Sequence, residues 1–152
     1  MQRAIKNSWL KKTILILLGI MLVGAIAVYL IFTEKFEDTQ KQTAAYTVNA
    51  VDFIKEFQQN DSIANRKYAE KIMVVNGTVA EKETADTTVN IKMVDTLTGS
   101  YIIFAFQEQY IKQAKQLNVG QAVSIKGSCS GGIYSKILET EFISFKRCAV
   151  NK

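Results

Sequence analysis

The residues best suited to chemistry are two thiols, Cys129 and Cys148, near the C-terminal end of a 152-residue chain that contains no histidine and no proline. A thiol pair can ligate a metal, exchange dithiol for disulfide, form a structural staple, or lie as two separate buried groups. A metal would need two further soft or imidazole ligands, and the composition supplies none. Exchange of the C-x-x-C kind is excluded by the spacing. A staple or two free thiols remain. In a hairpin turning near Leu138 and Glu139 the cysteines would face each other, whereas a turn at Gly131, Gly132 and Ser135 would leave them too far apart to join. An oxidising compartment favours the staple.

Other chemistry is excluded more simply. Without histidine, serine–histidine and cysteine–histidine catalysis are impossible, and the commonest general base is missing. The carboxylates are scattered over connections and helices. Glu81, Glu83 and Asp86 do cluster in "AEKETAD", but that is the ordinary place for charge between two strands, with calcium as the residual alternative. Gly131 and Gly132 lie between strands rather than ahead of a helix, so no phosphate-cradling loop is present. The expectation is a protein that is not an enzyme and carries no cofactor or metal.

The elements that would position these residues begin with "TILILLGIMLVGAIAVYLIF", residues 13–32, which is free of charge and long enough as a helix to span a bilayer. "AIA" at Ala25–Ala27 has the small-x-small form of a signal-peptide cleavage site, but the apolar run continues past it. Arg3, Lys6, Lys11 and Lys12 precede the span without an acid among them, and Glu34, Lys35, Glu37 and Asp38 follow it. The positive-inside rule then puts residues 1–12 in the cytoplasm and the rest outside, in the periplasm of a bacterial inner membrane. Of the +5 net charge those four cations carry most: 15 basic against 14 acidic residues remain, a net of +1, so the basic pI is no sign of nucleic-acid binding. Gly19 and Gly24 miss the G-x-x-x-G spacing of a helix dimer.

Residues 33–46 read as a polar tether, leaving 47–152 as the outer domain. Asn49 caps an amphipathic helix through "AVDFIKEFQQN", with Val51, Ile54 and Phe57 on one side. "DSIANRKYAEK" follows as a second short helix or turn, with Asp61 or Ser62 as its cap. Period-two patterns then give strands at "IMVVNGTVAEKE", with a bulge or bend at Gly77, at "TTVNIKMVD" and at "SYIIFAFQ". "EQYIKQAKQLNVG" is helical and ends at Gly120. "QAVSIKGSC" and "EFISFKRCAV" complete five strands. A mainly β domain with a helix between its third and fourth strands is the arrangement of the OB-fold, a partly open five-stranded barrel, and a small mixed α+β sheet would give the same order of elements. Such barrels bind ligands on strands two and three, which singles out Asn90, Lys92 and Tyr101, with Tyr134 in the loop between strands four and five. The plainer alternative is that Tyr101 packs at a strand end and Lys92 faces water. Phe104 and Phe106 read as core.

Two stretches carry a family resemblance. "NDSIANRKYAEK", with Asn60, Ala64, Tyr68 and Lys71, and the following Gly77 resemble the "N-E-x-x-A-x-x-x-Y-x-x-K" run and "GtV" strand of the tRNA_anti-like family. "GQAVSIKGSCSG", with Gly120, Val123, Gly127, Cys129 and Gly131, resembles that family's "G-d-x-V-x-v-k-G-x-C-x-G", and Cys148 matches its closing cysteine. The resemblance covers roughly Thr47–Val150 and implies an OB-fold of the bacterial cell envelope with no established activity. Members are commonly lipoproteins, whereas this chain carries a transmembrane span instead.

Together these readings lead to a membrane-anchored, OB-like binding module outside the cytoplasmic membrane. Its partners would be the lipid bilayer through residues 13–32 and an envelope protein, peptide or glycan. The alternatives are a single-stranded nucleic-acid-binding OB domain and, less in keeping with the composition, an enzyme with a carboxylate site.

Overall fold

The computed structural model describes residues 6–33 and 38–151. Arg3 and the flanking Glu34, Lys35 and Glu37, used above for orientation, lie outside the described residues. The chain divides into two compact units, one ending at Phe36 and one starting at Glu37.

The first unit is helix α1, Lys6–Thr33. Its apolar side chains from Ile14 to Ile31 are exposed on every side, as expected of a helix whose apolar surroundings lie outside its own chain. The stretch Lys11–Ile31 is long and apolar enough to cross a membrane.

The second unit contains β1 (Tyr46–Asn49), α2 (Ala50–Gln59), α3 (Asp61–Tyr68), β2 (Ile72–Thr78), β3 (Glu81–Thr84), β4 (Val89–Val94) and β5 (Tyr101–Phe106). A 3-10 turn, Glu108–Tyr110, then leads into α4 (Ile111–Gln116), β6 (Ala122–Ser135) and β7 (Thr140–Val150). The seven strands form one sheet in the order β1-β2-β6-β7-β5-β4-β3, with no ladder closing its ends. The fold is OB-like. The difference from the five expected strands has a local cause. Only Val79 and Ala80 separate β2 from β3, and their N–H groups donate to Gln121 and Lys92 carbonyls, 2.9 and 2.8 Å away. The "IMVVNGTVAEKE" segment is therefore one strand bent in the middle, its first half paired with β6 and its second with β4. The remaining addition is the short parallel strand β1 beside β2.

The bend falls at Val79, not at Gly77, where β2 pairs regularly with Val123. Gly77 is required for a different reason: a Cβ there would stand 2.8 Å from the Ala50 Cβ and 2.6 Å from the Met93 sulfur, so α2 lies on the sheet only because the position is bare. Asn49 caps α2 as expected, accepting from the Val51 N–H at 3.0 Å. The cap of α3 is Asn60 rather than Asp61 or Ser62, since its Oδ1 takes the Ile63 N–H at 2.9 Å. Helix α4 stops at Gln116, before Gly120. Gly120 instead occupies the following turn with φ 84° and donates to the Val79 carbonyl.

The core lies between the helices and the inner face of the sheet, around Phe53, Ile54, Phe57, Ile91, Phe104, Ile143 and Phe145. Phe104 and Phe106 are buried in it as expected. The segment before β1 is also attached to the domain. Tyr110 donates from its hydroxyl to Asp38, Gln40 Nε2 donates to the Val150 carbonyl at 2.9 Å, and Lys126 donates to the Gln40 carbonyl at 3.1 Å. Thr39 is buried there.

Candidate functional site

Strands β4 and β5 alternate strictly between buried residues and half-buried or exposed ones. Asn90, Lys92 and Val94 therefore share the outer face with Tyr101, Ile103 and Ala105, and the register sets Asn90 against Ala105, Lys92 against Ile103 and Val94 against Tyr101. Three of the four residues singled out from the sequence thus stand together. From β7, Phe142 pairs with Tyr101, their ring centroids 5.3 Å apart, and Ile133 of β6 continues the strip beyond Phe142.

The carboxylates beside Lys92 come from β3. Lys92 Nζ is 2.6 Å from a carboxylate oxygen of Glu83 and 3.1 Å from one of Glu81, and it lies 5.6 Å from the Tyr101 ring centroid. The hydrogen bond to Glu83, then that to Glu81, raises the Lys92 pKa, and the same contact with Lys92 lowers that of Glu83. The "AEKETAD" cluster is thus partly a strand edge, with two of its acids holding one cation. The other lysine of these strands, Lys82, spends its ammonium on the Lys115 and Leu117 carbonyls at the end of α4.

Tyr134 does not join this group. It lies in β6, not in a loop, and pairs with Glu141, which places it on the opposite side of the ribbon from Phe142. The reason is the position of the hairpin turn, residues 136–139, which lets β6 run on through Gly131 and Gly132.

The family-motif positions build the fold rather than this face. Ala64 and Tyr68 are buried. Tyr68 packs edge-on against Phe53 and donates its hydroxyl to Glu56 at 2.7 Å. Glu56, which nothing in the sequence had marked, also accepts from Lys67 at 2.7 Å. Burial would raise the Glu56 pKa, but the bonds from Lys67 and Tyr68 outweigh it and lower the net value. Asn60 caps α3, and Lys71, an exposed side chain, contributes its carbonyl to the Cys129 N–H at 2.9 Å. Gly131 sits at a bulge with φ 102°, where a Cβ would meet Asn65 Oδ1 at 2.5 Å. Asn65 there clamps the strand like a neighbouring backbone, donating to the Gly132 carbonyl at 2.7 Å and accepting its N–H at 2.8 Å.

The disulfide expected at Cys129 and Cys148 is absent: both are free, buried thiols. Two bulges shift the β6–β7 register, so Cys129 pairs with Phe145. Cys148 lies instead against Gly127, where a Cβ would stand 2.6 Å from its sulfur. Burial pushes the Cys129 thiol up to about 11 and that of Cys148 well above its usual value, which makes both poor nucleophiles. Among the described residues no group of three or more histidine, cysteine or acidic side chains is placed to hold a metal.

A family model, tRNA_anti-like, matches residues 1–139. The match ends within the β6–β7 turn, so Cys148 lies beyond it. Among solved structures, a proposed nucleic acid-binding lipoprotein from Klebsiella pneumoniae aligns with a TM-score of 0.54 at 18% identity, over 69% of this chain and 91% of that one. A proposed aspartyl-tRNA synthetase from Leishmania major aligns at TM-score 0.45 and 8% identity, over 78% of this chain and 22% of the enzyme. The aspartyl-tRNA synthetase of Entamoeba histolytica aligns at 0.39 and 12%, over 55% of this chain and 19% of its own. At these identities the likeness is one of fold. No curated protein matches the sequence.

Proposed function

The chain belongs to the tRNA_anti-like family, and from that premise we propose that it is a non-catalytic binding module, anchored by α1, whose outer sheet face takes a protein or peptide of the bacterial envelope. The cations of residues 3–12 support an orientation with the N-terminus inside and the domain in the periplasm.

The observation that carries the reading is the pinning of Lys92 between Glu81 and Glu83. A single-stranded nucleic acid needs cations free to meet its phosphates beside an aromatic platform. Tyr101 and Phe142 supply the platform, but the cation beside Tyr101, Lys92, is already paired, and the two glutamates leave its cluster with an excess of one negative charge. Tyr101, Phe142, Ile103 and Ile133 suit apolar side chains, while the exposed carboxylates suit a partner carrying basic residues. The Klebsiella lipoprotein's described ligand gives nucleic acid as the competing reading.

Two measurements test the proposal. The full chain in detergent micelles, titrated with single-stranded RNA across a salt series, should show no salt-dependent binding. A photo-crosslinking residue at position 101 in cells should yield a discrete protein adduct, lost with Ile103→Asp and absent from position 112. RNA binding that weakens with salt, with a slope reduced by Lys92→Met, would overturn the polypeptide reading in favour of nucleic acid.

A further inference from the structure

On the other side of the β6–β7 ribbon, α2, α3 and the hairpin enclose an open groove of about 670 Å³ lined by Gln58, Asp61, Ser62, Tyr134 and Glu141, among others. Glu141 is the anomaly. It is 1% exposed, yet its carboxylate Oε1 has no hydrogen-bond partner. The nearby amide donor is committed elsewhere: Gln58 Nε2 donates to Thr98 Oγ1 and Ser100 Oγ, both at 2.9 Å, and Ser100 Oγ also accepts the backbone N–H of Glu141 at 2.9 Å. Burial, and behind it the charge of Asp61, raise the Glu141 pKa. No lysine or arginine lines the groove among the described residues.

A buried carboxylate oxygen without a partner is costly, and natural proteins seldom retain one without a use. We infer that this groove is a subsite for a single organic cation, the ammonium or guanidinium of a basic side chain, with Glu141 at its floor, Asp61 at its rim and the half-exposed Tyr134 ring beside it. Tyr134 is the direct cross-strand partner of Glu141, and both line the groove, which puts an aromatic ring and a carboxylate within reach of one guest, the pairing used in cation recognition by aromatic side chains. The groove offers two carboxylates, and the Asn60 amide oxygen in its lining is already spent on the Ile63 N–H, a donor set that suits an organic cation better than a metal ion seeking six or more oxygens. An anion at the start of α3 would instead meet Asp61 and Glu141, both of its own sign. The inference stands apart from the outer face, because the groove opens on the opposite side of the strands.

The test uses isotope-labelled full chain in micelles and follows amide resonances. The probes are N-acetyl-lysine methylamide, its arginine counterpart, the neutral N-acetyl-norleucine methylamide, and spermidine. The lysine or arginine probe should shift Ser62, Tyr134 and Glu141 saturably, and norleucine should not. Glu141→Gln, nearly isosteric and so expected to fold, should weaken binding about tenfold or more, equivalent to about 1.4 kcal/mol. Tyr134→Leu should weaken it with the carboxylate untouched. Tighter binding of the amides than of spermidine identifies a polypeptide side chain, and the reverse a free polyamine. Equal binding by norleucine, unchanged binding in Glu141→Gln, or shifts produced by acetate instead of the cations would overturn the inference.

Discussion

Replacing Gly127 by alanine places a methyl group 2.6 Å from the Cys148 sulfur and 3.4 Å from Phe145 Cδ1, far inside van der Waals contact for the first. Gly127 has an ordinary negative φ, so the substitution tests packing alone. Both neighbours are buried, and overfilling such a site costs about 2 kcal/mol. For a domain of this size that lowers Tm by about 8 °C. Cys148→Ala alone opens a gap of roughly one methyl group and costs about 1 kcal/mol. Combined, the new methyl occupies the space the sulfur has left, and the double variant should lie within about 0.5 kcal/mol of the parent. The coupling is then about 2.5 kcal/mol, readable from urea unfolding of the micelle-bound chain by tyrosine fluorescence, with unchanged slopes. If the two losses simply add, the Cys148 sulfur does not face Gly127, and the account of these thiols as packing groups fails.

Asn65→Ala removes both bonds to Gly132 and should cost about 2 kcal/mol in the same unfolding assay; Asn65→Asp, which keeps only the acceptor, should recover part of it, and a loss under about 0.5 kcal/mol would show that the clamp is not holding the hairpin. Glu141→Gln has a pH signature. With its pKa raised by burial, the native parent binds more protons than the unfolded chain, so its stability falls as pH rises from the ordinary carboxylate range through the raised value. The glutamine variant should therefore match the parent at low pH and exceed it at neutral pH, by about 1 kcal/mol; a difference independent of pH would show that Glu141 is not the titrating group.

Periodicity carried much of the architecture. The alternation of Val89, Ile91 and Met93 against Asn90 and Lys92 placed β4 and its outward residues, and Asn49 marked the start of α2. Long-range register was harder to read. Nothing local to "SCSGGIYS" shows that Gly131 will bulge around Asn65, a residue more than sixty positions earlier, so the sequence leaves the turn open between the glycines and the stretch around Leu138 and Glu139. The turn at residues 136–139 extends β6 through Tyr134 and sets it opposite Glu141, while the register of the bulged ribbon sets Cys129 opposite Phe145 and Cys148 against Gly127. Part of the stretch before β1 shows the same difficulty: Asp38 and Gln40 look like solvated linker until Tyr110, Lys126 and Val150 converge on them. Glu56 and Glu141 are ordinary acids in sequence, and only burial and the absence or presence of a partner distinguish them.

The ends of the sheet have one more implication. Its outermost strands, β1 and β3, are each four residues long; β1 passes straight into α2, and β3 carries Glu81, Lys82 and Glu83. Edges so short and so charged are poor templates for another chain to extend by main-chain pairing. Many domains catch peptides by adding them as an extra strand, which rewards any extended segment with little regard to its residues. That route is disfavoured here, as is its pathological counterpart, edge-to-edge polymerisation. Discrimination must then come from side-chain chemistry, so a ligand of this domain should be defined more by its residues than by an extended shape.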